Sequence, residues 1–209
     1  MKLLVATRSR GKQQEVRRLL EGSGVEIVFP DQAGVGISAE EDLLELHPTF
    51  EGNARAKALY FHRRTGLPTV ADDSGLEVFA LGGEPGVRSK RWAGRDGPDH
   101  EVEKANNELL LRRLLGAPAA KRKARYRSVL ALVRGGKLLP EIFEGSCSGT
   151  IAEAPRGEGG FGYDPLFISD ELGMTFGEAP PDQKDSVSHR GRAFAQLRAA
   201  ILEHGEPAE

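Results

Sequence analysis

The sequence is poor in cysteine: Cys147 is the only one, so no disulfide can form within the chain, and this usage fits a reducing compartment. Long apolar runs are also missing. The longest uninterrupted aliphatic stretch is about five residues, Val129 to Val133, far short of the roughly 20 that a membrane-spanning helix needs. Met1 to Thr7 carries a lysine and an apolar patch, but Arg8 and Arg10 interrupt it before the length of a signal peptide is reached. A cytoplasmic location away from membranes is expected. No charge sign dominates, because 29 Lys and Arg face 31 Asp and Glu for a formal net charge of -2. That balance gives no global attraction to nucleic acid or to an anionic membrane, so any anion site must be local. The five histidines, His47, His62, His100, His189 and His204, have no zinc-ligand spacing. No Ser/His/Asp or Cys/His arrangement stands out either, so neither zinc nor covalent catalysis is expected. Repeats, low-complexity tracts and long linkers are absent, and 209 residues are enough for a sizeable core without a structural metal. A single domain over residues 1–209 is expected.

What is present alternates between strand and helix patterns. Lys2 to Thr7 reads as a buried strand, Gly11 to Leu20 as a helix with Val16, Leu19 and Leu20 on one face, and Val25 to Phe29 as a second strand. Pro30 to Asp42 reads as loop. Thr49 predicts an N-cap for a helix whose inner face is Phe50, Ala54, Ala58 and Phe61 and whose end falls near Gly66. Thr69 to Ala71 reads as a short strand ending at Asp72-Asp73-Ser74-Gly75, and a helix is expected from about Asp99 to Leu115. Tyr126 to Val133 and Leu138 to Thr150 flank Arg134-Gly135-Gly136-Lys137 as a hairpin. A short strand at Leu166 to Ile168 and a final helix from Ser188 to His204, with Phe194, Leu197 and Ile201 inward, complete the chain. The expected fold is α/β, with a mixed twisted central sheet, flanking helices and two lobes around a substrate cleft.

Several segments have chemical potential. The loop Thr7-Arg8-Ser9-Arg10-Gly11-Lys12 joins a strand to a helix, where unpaired N–H groups and added cations favour phosphate, although taken alone it reads better as an ordinary solvated turn. It is not a Walker A loop, because the first glycine is missing and Gln13 stands where Ser or Thr would hold magnesium. Adjacent Asp72 and Asp73 repel unless a cation or a proton neutralises them, and magnesium is the economical cation. Neighbours on an extended chain point to opposite faces, so one aspartate is expected to face the ligand and the other to be structural. A capped turn with two solvated aspartates is the alternative. Glu40-Glu41-Asp42 offers further oxygen ligands or a solvated acidic run. Lys57 sits near an apolar helix face, either snorkelling or reaching toward phosphate. The stretch Gly157 to Pro165 is dense in glycine and carries Phe161 and Tyr163, either of which could stack on a flat base, unless the stretch is a plain surface loop. Ser188 reads as an N-cap, with His189 and Arg190 in a first turn where a cation disfavours the helix dipole, a placement that points to an anionic or carbonyl-rich ligand.

Taken in order, these segments resemble the inosine triphosphate pyrophosphatase family. The resemblance rests on the strand-loop-Lys12 opening, TFEGNARAKA at 49–58, ADDSGLEVFALGGEPGVRSKRWAG at 71–94, GGFGYDPLF at 159–167, TFGE at 175–178 and KDSVSHRGRA at 184–193, and it spans nearly the whole chain. It implies hydrolysis of non-standard purine nucleoside triphosphates (ITP, dITP, XTP) to the monophosphate and pyrophosphate, with Mg²⁺ as cofactor and a homodimeric assembly. It also implies that Thr7, Arg8, Ser9, Arg10, Gly11 and Lys12 form the triphosphate loop. Asp73 is then the metal ligand and proton acceptor, Ser74 a substrate contact, and Lys57 a phosphate support. Phe161, Gly162, Tyr163 and Asp164 would hold base and sugar, Lys184, His189 and Arg190 would read the base, and Glu41, with Glu40 as its rival, would be the second metal-site carboxylate. The chain departs from the family in three places. Arg8-Ser9 stands where Gly-Asn is usual, Gly52 replaces the glutamate of TFxEN, and about four extra residues separate Asp42 from Thr49. A nucleotide sensor using the same loops without turnover, or a pyrophosphatase for other modified nucleotides, would share these features.

Overall fold

The computed structural model describes residues 1–135 and 139–203. The element order is β1 (Lys2–Val5), α1 (Arg10–Leu19), β2 (Glu26–Val28), α2 (Phe50–Thr65), β3 (Thr69–Val78), α3 (Asp99–Arg113), β4 (Lys123–Val133), β5 (Glu141–Ile151), β6 (Phe167–Ser169), α4 (Pro181–Val187) and α5 (His189–Glu203), with short 3-10 turns between them. The strands form one six-stranded sheet in the order β2-β1-β3-β4-β5-β6. β1 is parallel to β2 and β3, whereas β5 and β6 are antiparallel, so the sheet is mixed as expected.

Two compact units divide the chain. Of the described residues, the first contains 1–73, 128–135, 139–145 and 192–203, and the second 74–127 and 146–191. In the first, Leu3, Val5, Val16, Leu20, Val70, Leu130 and Leu132 pack with Phe194, Leu197 and Ile201 of α5. In the second, Leu76, Leu110, Leu114, Tyr126, Phe167 and Phe176 form the core. Caps fix the helix that carries Lys57: the Thr49 hydroxyl accepts the Gly52 N–H, and Gly66 closes α2 in the left-handed conformation. Phe50, Ala54, Ala58 and Phe61 are its buried face.

Three local expectations are corrected. β3 does not stop at Ala71 but runs on through Asp72-Asp73-Ser74-Gly75 to Val78. The acidic stretch after Pro30 is not all loop, because Ala39–Glu45 forms a 3-10 helix with a capping box between Ser38 and Glu41. A helix, α4, precedes α5 where none was anticipated. The turn expected at Arg134-Gly135-Gly136-Lys137 and the helix end expected at His204 fall partly or wholly outside the described residues.

Candidate functional site

Two neighbouring carboxylates inside a sheet need compensation, because a buried unpaired charge is costly. In the first unit each aspartate of β3 has it. Asp72 Oδ2 lies 2.9 Å from Lys12 Nζ, and Asp72 Oδ1 accepts the Ser128 hydroxyl of β4 at 2.7 Å. Asp73 Oδ1 accepts Lys57 Nζ at 2.7 Å, while Asp73 Oδ2 accepts the Asn53 amide at 3.0 Å. The Asp72 carbonyl receives both ammonium groups, Lys57 at 3.0 Å and Lys12 at 3.3 Å. Asp72 thus turns to α1 and β4, and Asp73 to α2, as alternation along an extended strand requires. Burial works against the charge of Lys57, but Asp73 and Glu45 outweigh it and hold the ammonium above the ordinary lysine range.

Lys12 reaches this cluster from the first turns of α1, after the Thr7–Gly11 loop. Within that loop the Ser9 N–H donates to Thr7 Oγ1, and the Gln13 amide donates to the Thr7 carbonyl. Ser9 is the N-cap of α1, and Arg10 and Gly11 begin its first turn, where backbone N–H groups lack helical partners. Arg8 is engaged elsewhere. Its guanidinium donates to both Glu41 oxygens at 2.7 Å, to Asp31, and to the carbonyls of Val35 and Gly36 at 3.0 Å. The bonds to Glu41 raise its pKa further, against the effect of burial. Arg8 therefore ties the loop to residues 31–41. Glu40 bonds to Arg64 at 2.6 Å.

In the second unit Asp164 is the centre. Its Oδ2 lies 2.5 Å from Lys184 Nζ of α4 and accepts the Phe161 N–H at 2.8 Å, and its Oδ1 accepts the Tyr126 hydroxyl at 3.4 Å. Gly160 permits this approach: a Cβ there would stand 2.2 Å from Asp164 Oδ2, and its φ of +72° is one that few side chains tolerate. The two aromatics flanking Gly162 have different surroundings. Tyr163 is buried in the core, its hydroxyl donates to the Ser89 carbonyl at 2.9 Å, and burial pushes its pKa up. Phe161 is half-buried, with Lys184 at 5.3 Å and Arg190 at 5.4 Å from its ring centroid. The Ser188 hydroxyl accepts the Gly191 N–H at the start of α5, His189 stacks on Tyr126 with ring centroids 4.5 Å apart, and Arg190 donates to Ser74 Oγ at 2.7 Å.

The sequence reading missed Asn53, Ser128 and Tyr126 as partners of the three aspartates. Ser128 had a legible signal, a polar residue directly before the apolar run Val129 to Val133 and in alternation with Tyr126 and Leu130 on one strand face; the Asn53 and Tyr126 contacts depend on the tertiary arrangement.

The mixed sheet and its flanking helices define an α/β protein, with two lysine–aspartate pairs on consecutive residues of β3. The chain belongs to the Ham1 family, whose model matches residues 3–200. It is 48% identical over 200 residues to a Mycobacterium bovis protein named dITP/XTP pyrophosphatase, covering 96% of this chain and 95% of that one. A Methylococcus capsulatus protein of the same name is 44% identical over 201 residues, with 96% of each chain covered. Among solved structures, a HAM1 protein from Coxiella burnetii superposes with a TM-score of 0.83 at 33% identity, over 97% of this chain and 99% of that one. A nucleoside-triphosphatase described as a dITP/XTP pyrophosphatase from Mycobacterium abscessus has a TM-score of 0.71 at 44% identity, over 94% and 98%.

Proposed function

We propose that this chain hydrolyses non-standard purine nucleoside triphosphates, dITP, XTP and ITP, to the monophosphate and pyrophosphate, acting as a single functional domain over residues 1–209. The observation that carries the reading is the pair of lysine–aspartate contacts on consecutive residues of β3, Lys12 with Asp72 and Lys57 with Asp73. Such a cluster supplies both cations for phosphate and a carboxylate for a proton. Relatives named dITP/XTP pyrophosphatase, at 44–48% identity over nearly the full chain, support the substrate class.

The donor set suits magnesium, which binds through one or two carboxylates plus substrate phosphates and keeps several waters. Among the described residues there is no group of three or more His, Cys, Asp or Glu that could hold a metal. Asp73 is the carboxylate that would hold it. Glu41 would be the second through little more than one remaining lone pair, because Arg8 and the Ser38 N–H already occupy the others. When bound, the cation supplies Lewis-acid stabilisation of charge on the phosphate oxygens.

The chain's own residues do the rest. Asp73 accepts the proton of the water that attacks the α-phosphorus, and Asn53 orients its carboxylate. Lys12 and Lys57 offset charge on the leaving pyrophosphate, and the backbone N–H groups of Arg10 and Gly11 donate to phosphate oxygens. The role of Arg8 in this reading is to brace the loop. Phe161 stacks on the base, with the Gly162 backbone beside it and Ser74 and Arg190 as paired polar contacts, while Asp164 and Tyr163 hold the loop's shape. Lys184 and His189 donate to the purine 6-keto oxygen; adenine would bring a donor of its own and leave theirs unpaired.

The protein is further proposed to act as a homodimer in the cytoplasm, with no nucleic-acid or membrane partner. No described helix is long and apolar enough to cross a membrane. The deciding experiment incubates the protein and Mg²⁺ with ITP, XTP, dITP, ATP and GTP and resolves the products by anion exchange. Monophosphate plus pyrophosphate from ITP, XTP or dITP, with little from ATP or GTP, is expected; diphosphate plus orthophosphate, or tight binding without turnover, overturns the reading. Light scattering at micromolar concentration checks the dimer, which a monomer mass refutes.

A further inference from the structure

The segment between Asp42 and Thr49 carries His47, and beside it α2 has a glycine, Gly52, in its first turn. The two features fit each other. A Cβ at Gly52 would stand 2.8 Å from His47 Cβ and 3.0 Å from His47 Cγ, closer than side-chain carbons pack, so the bare backbone at 52 makes room for His47. The His47 N–H donates to Asn53 Oδ1 at 2.9 Å, and the same Asn53 side chain donates to Asp73 Oδ2 at 3.0 Å. The segment is thereby fastened to α2 and, through Asn53, to the aspartate of the candidate site.

This seating brings in one carboxylate. Along the 3-10 helix Ala39–Glu45, Glu40 bonds to Arg64 and Glu41 to Arg8, while Glu45 Oε1 lies 3.3 Å from Lys57 Nζ. Lys57 then faces three oxygen acceptors, the Asp73 carboxylate at 2.7 Å, the Asp72 carbonyl at 3.0 Å and the Glu45 carboxylate. An ammonium on a flexible four-carbon stem has three donors, and the third acceptor holds the N–H that two acceptors would leave open.

We infer that Glu45, carried on a segment seated over Gly52, is a positioning residue that holds the Lys57 ammonium in its working direction. The inference rests on the proposed function for what Lys57 does, a phosphate-facing cation, but not for the contact itself. Glu45 acts through Lys57 and touches no reacting atom in this scheme.

The test compares Glu45→Gln, Glu45→Asp, Lys57→Met and Glu45→Gln/Lys57→Met. With ITP and Mg²⁺, E45Q is expected to lower kcat about tenfold with KM within about twofold, the pattern of a group needed in the transition state rather than for binding. E45D recovers most of the rate, and in the K57M background E45Q costs nothing further, because the two residues act as one unit. E45Q turning over like the parent, or a loss that adds fully to that of K57M, overturns the proposal. A second measurement needs no turnover: in the unliganded protein, the ¹⁵N-detected Lys57 ammonium protons are expected to exchange with water faster in E45Q than in the parent at an unchanged melting temperature. Unchanged exchange overturns the proposal even if the parent hydrolyses ITP; faster exchange in a protein that does not hydrolyse ITP supports the contact and places the failure in the proposed function. If E45Q does not fold, Gly52→Ala probes the same seat by displacing His47. It is expected to lower kcat in the same way and to recover in Gly52→Ala/His47→Gly; an undiminished rate in G52A overturns the proposal.

Discussion

Lys184 Nζ lies 2.5 Å from Asp164 Oδ2, with both side chains almost fully buried. Two desolvated charges are tolerable only together, and removing one strands the other. Asp164→Asn is therefore expected to destabilise the second unit by about 3–5 kcal/mol, read as a fall in the urea midpoint. Adding Lys184→Met should recover part of that loss, because the stranded ammonium goes with it. Two single losses that simply add in the double variant would show that the pair is not coupled in this way.

The half-buried ring of Phe161, bracketed by Lys184 and Arg190, contrasts with the buried ring of Tyr163. Base–aromatic stacking contributes about 1–3 kcal/mol, so Phe161→Ala should raise KM for ITP roughly tenfold or more. The melting temperature should move little. Tyr163→Phe instead removes the hydroxyl that donates to the Ser89 carbonyl, and is expected to lower stability with KM nearly unchanged. The opposite assignment of the two effects would exchange the roles given to these residues.

How far the sequence disclosed this arrangement depends on the reach of the signal. The inner face of α2, Phe50, Ala54, Ala58 and Phe61, follows the helical period and is buried as read; Thr49 caps it as read. The local pattern ends β3 at Ala71, because two carboxylates inside a strand contradict it. They are accommodated by Lys12, Lys57, Asn53 and Ser128, which come from three other elements. The position of Arg8 was equally illegible, since its partners Asp31, Val35, Gly36 and Glu41 lie more than twenty residues away. Local chemistry marks candidates, and long-range pairing decides which groups each one meets.

Glu178 and Thr175 bond reciprocally: Glu178 Oε2 accepts the Thr175 N–H at 2.9 Å and its hydroxyl at 3.0 Å, and the Glu178 N–H donates to Thr175 Oγ1 at 3.1 Å. The Thr175 N–H is the main cause holding the Glu178 pKa below the ordinary value of 4.5. A depressed carboxylate pKa stabilises the fold above the unfolded value, and that contribution is lost as the pH falls through the folded one. Glu178→Gln should thus be less stable than the parent near neutral pH, with the difference closing below about pH 4.5 as the parent's carboxylate protonates. Denaturant midpoints from pH 7 down to pH 3 check this; a gap that widens on acidification has the wrong sign.

Asp73 meets Lys57 through one oxygen and Asn53 through the other, which leaves its charge compensated and its orientation fixed. An asparagine there keeps the volume and an oxygen toward Lys57, but it cannot take a proton and holds a hard cation more weakly. Asp73→Asn is accordingly expected to lower kcat for ITP by about 10²–10⁴-fold, the range for loss of a general base. Binding depends on Lys12, Lys57 and the aromatic loop, so the nucleotide Kd measured by calorimetry without Mg²⁺ should stay within about threefold, and a tighter Kd would fit one fewer negative charge near the phosphates. Nearly full turnover in this variant would move the proton acceptor away from Asp73. Loss of binding together with turnover would make the aspartate a structural anchor for Lys57, and the water would then have to be activated by another carboxylate of the same cluster.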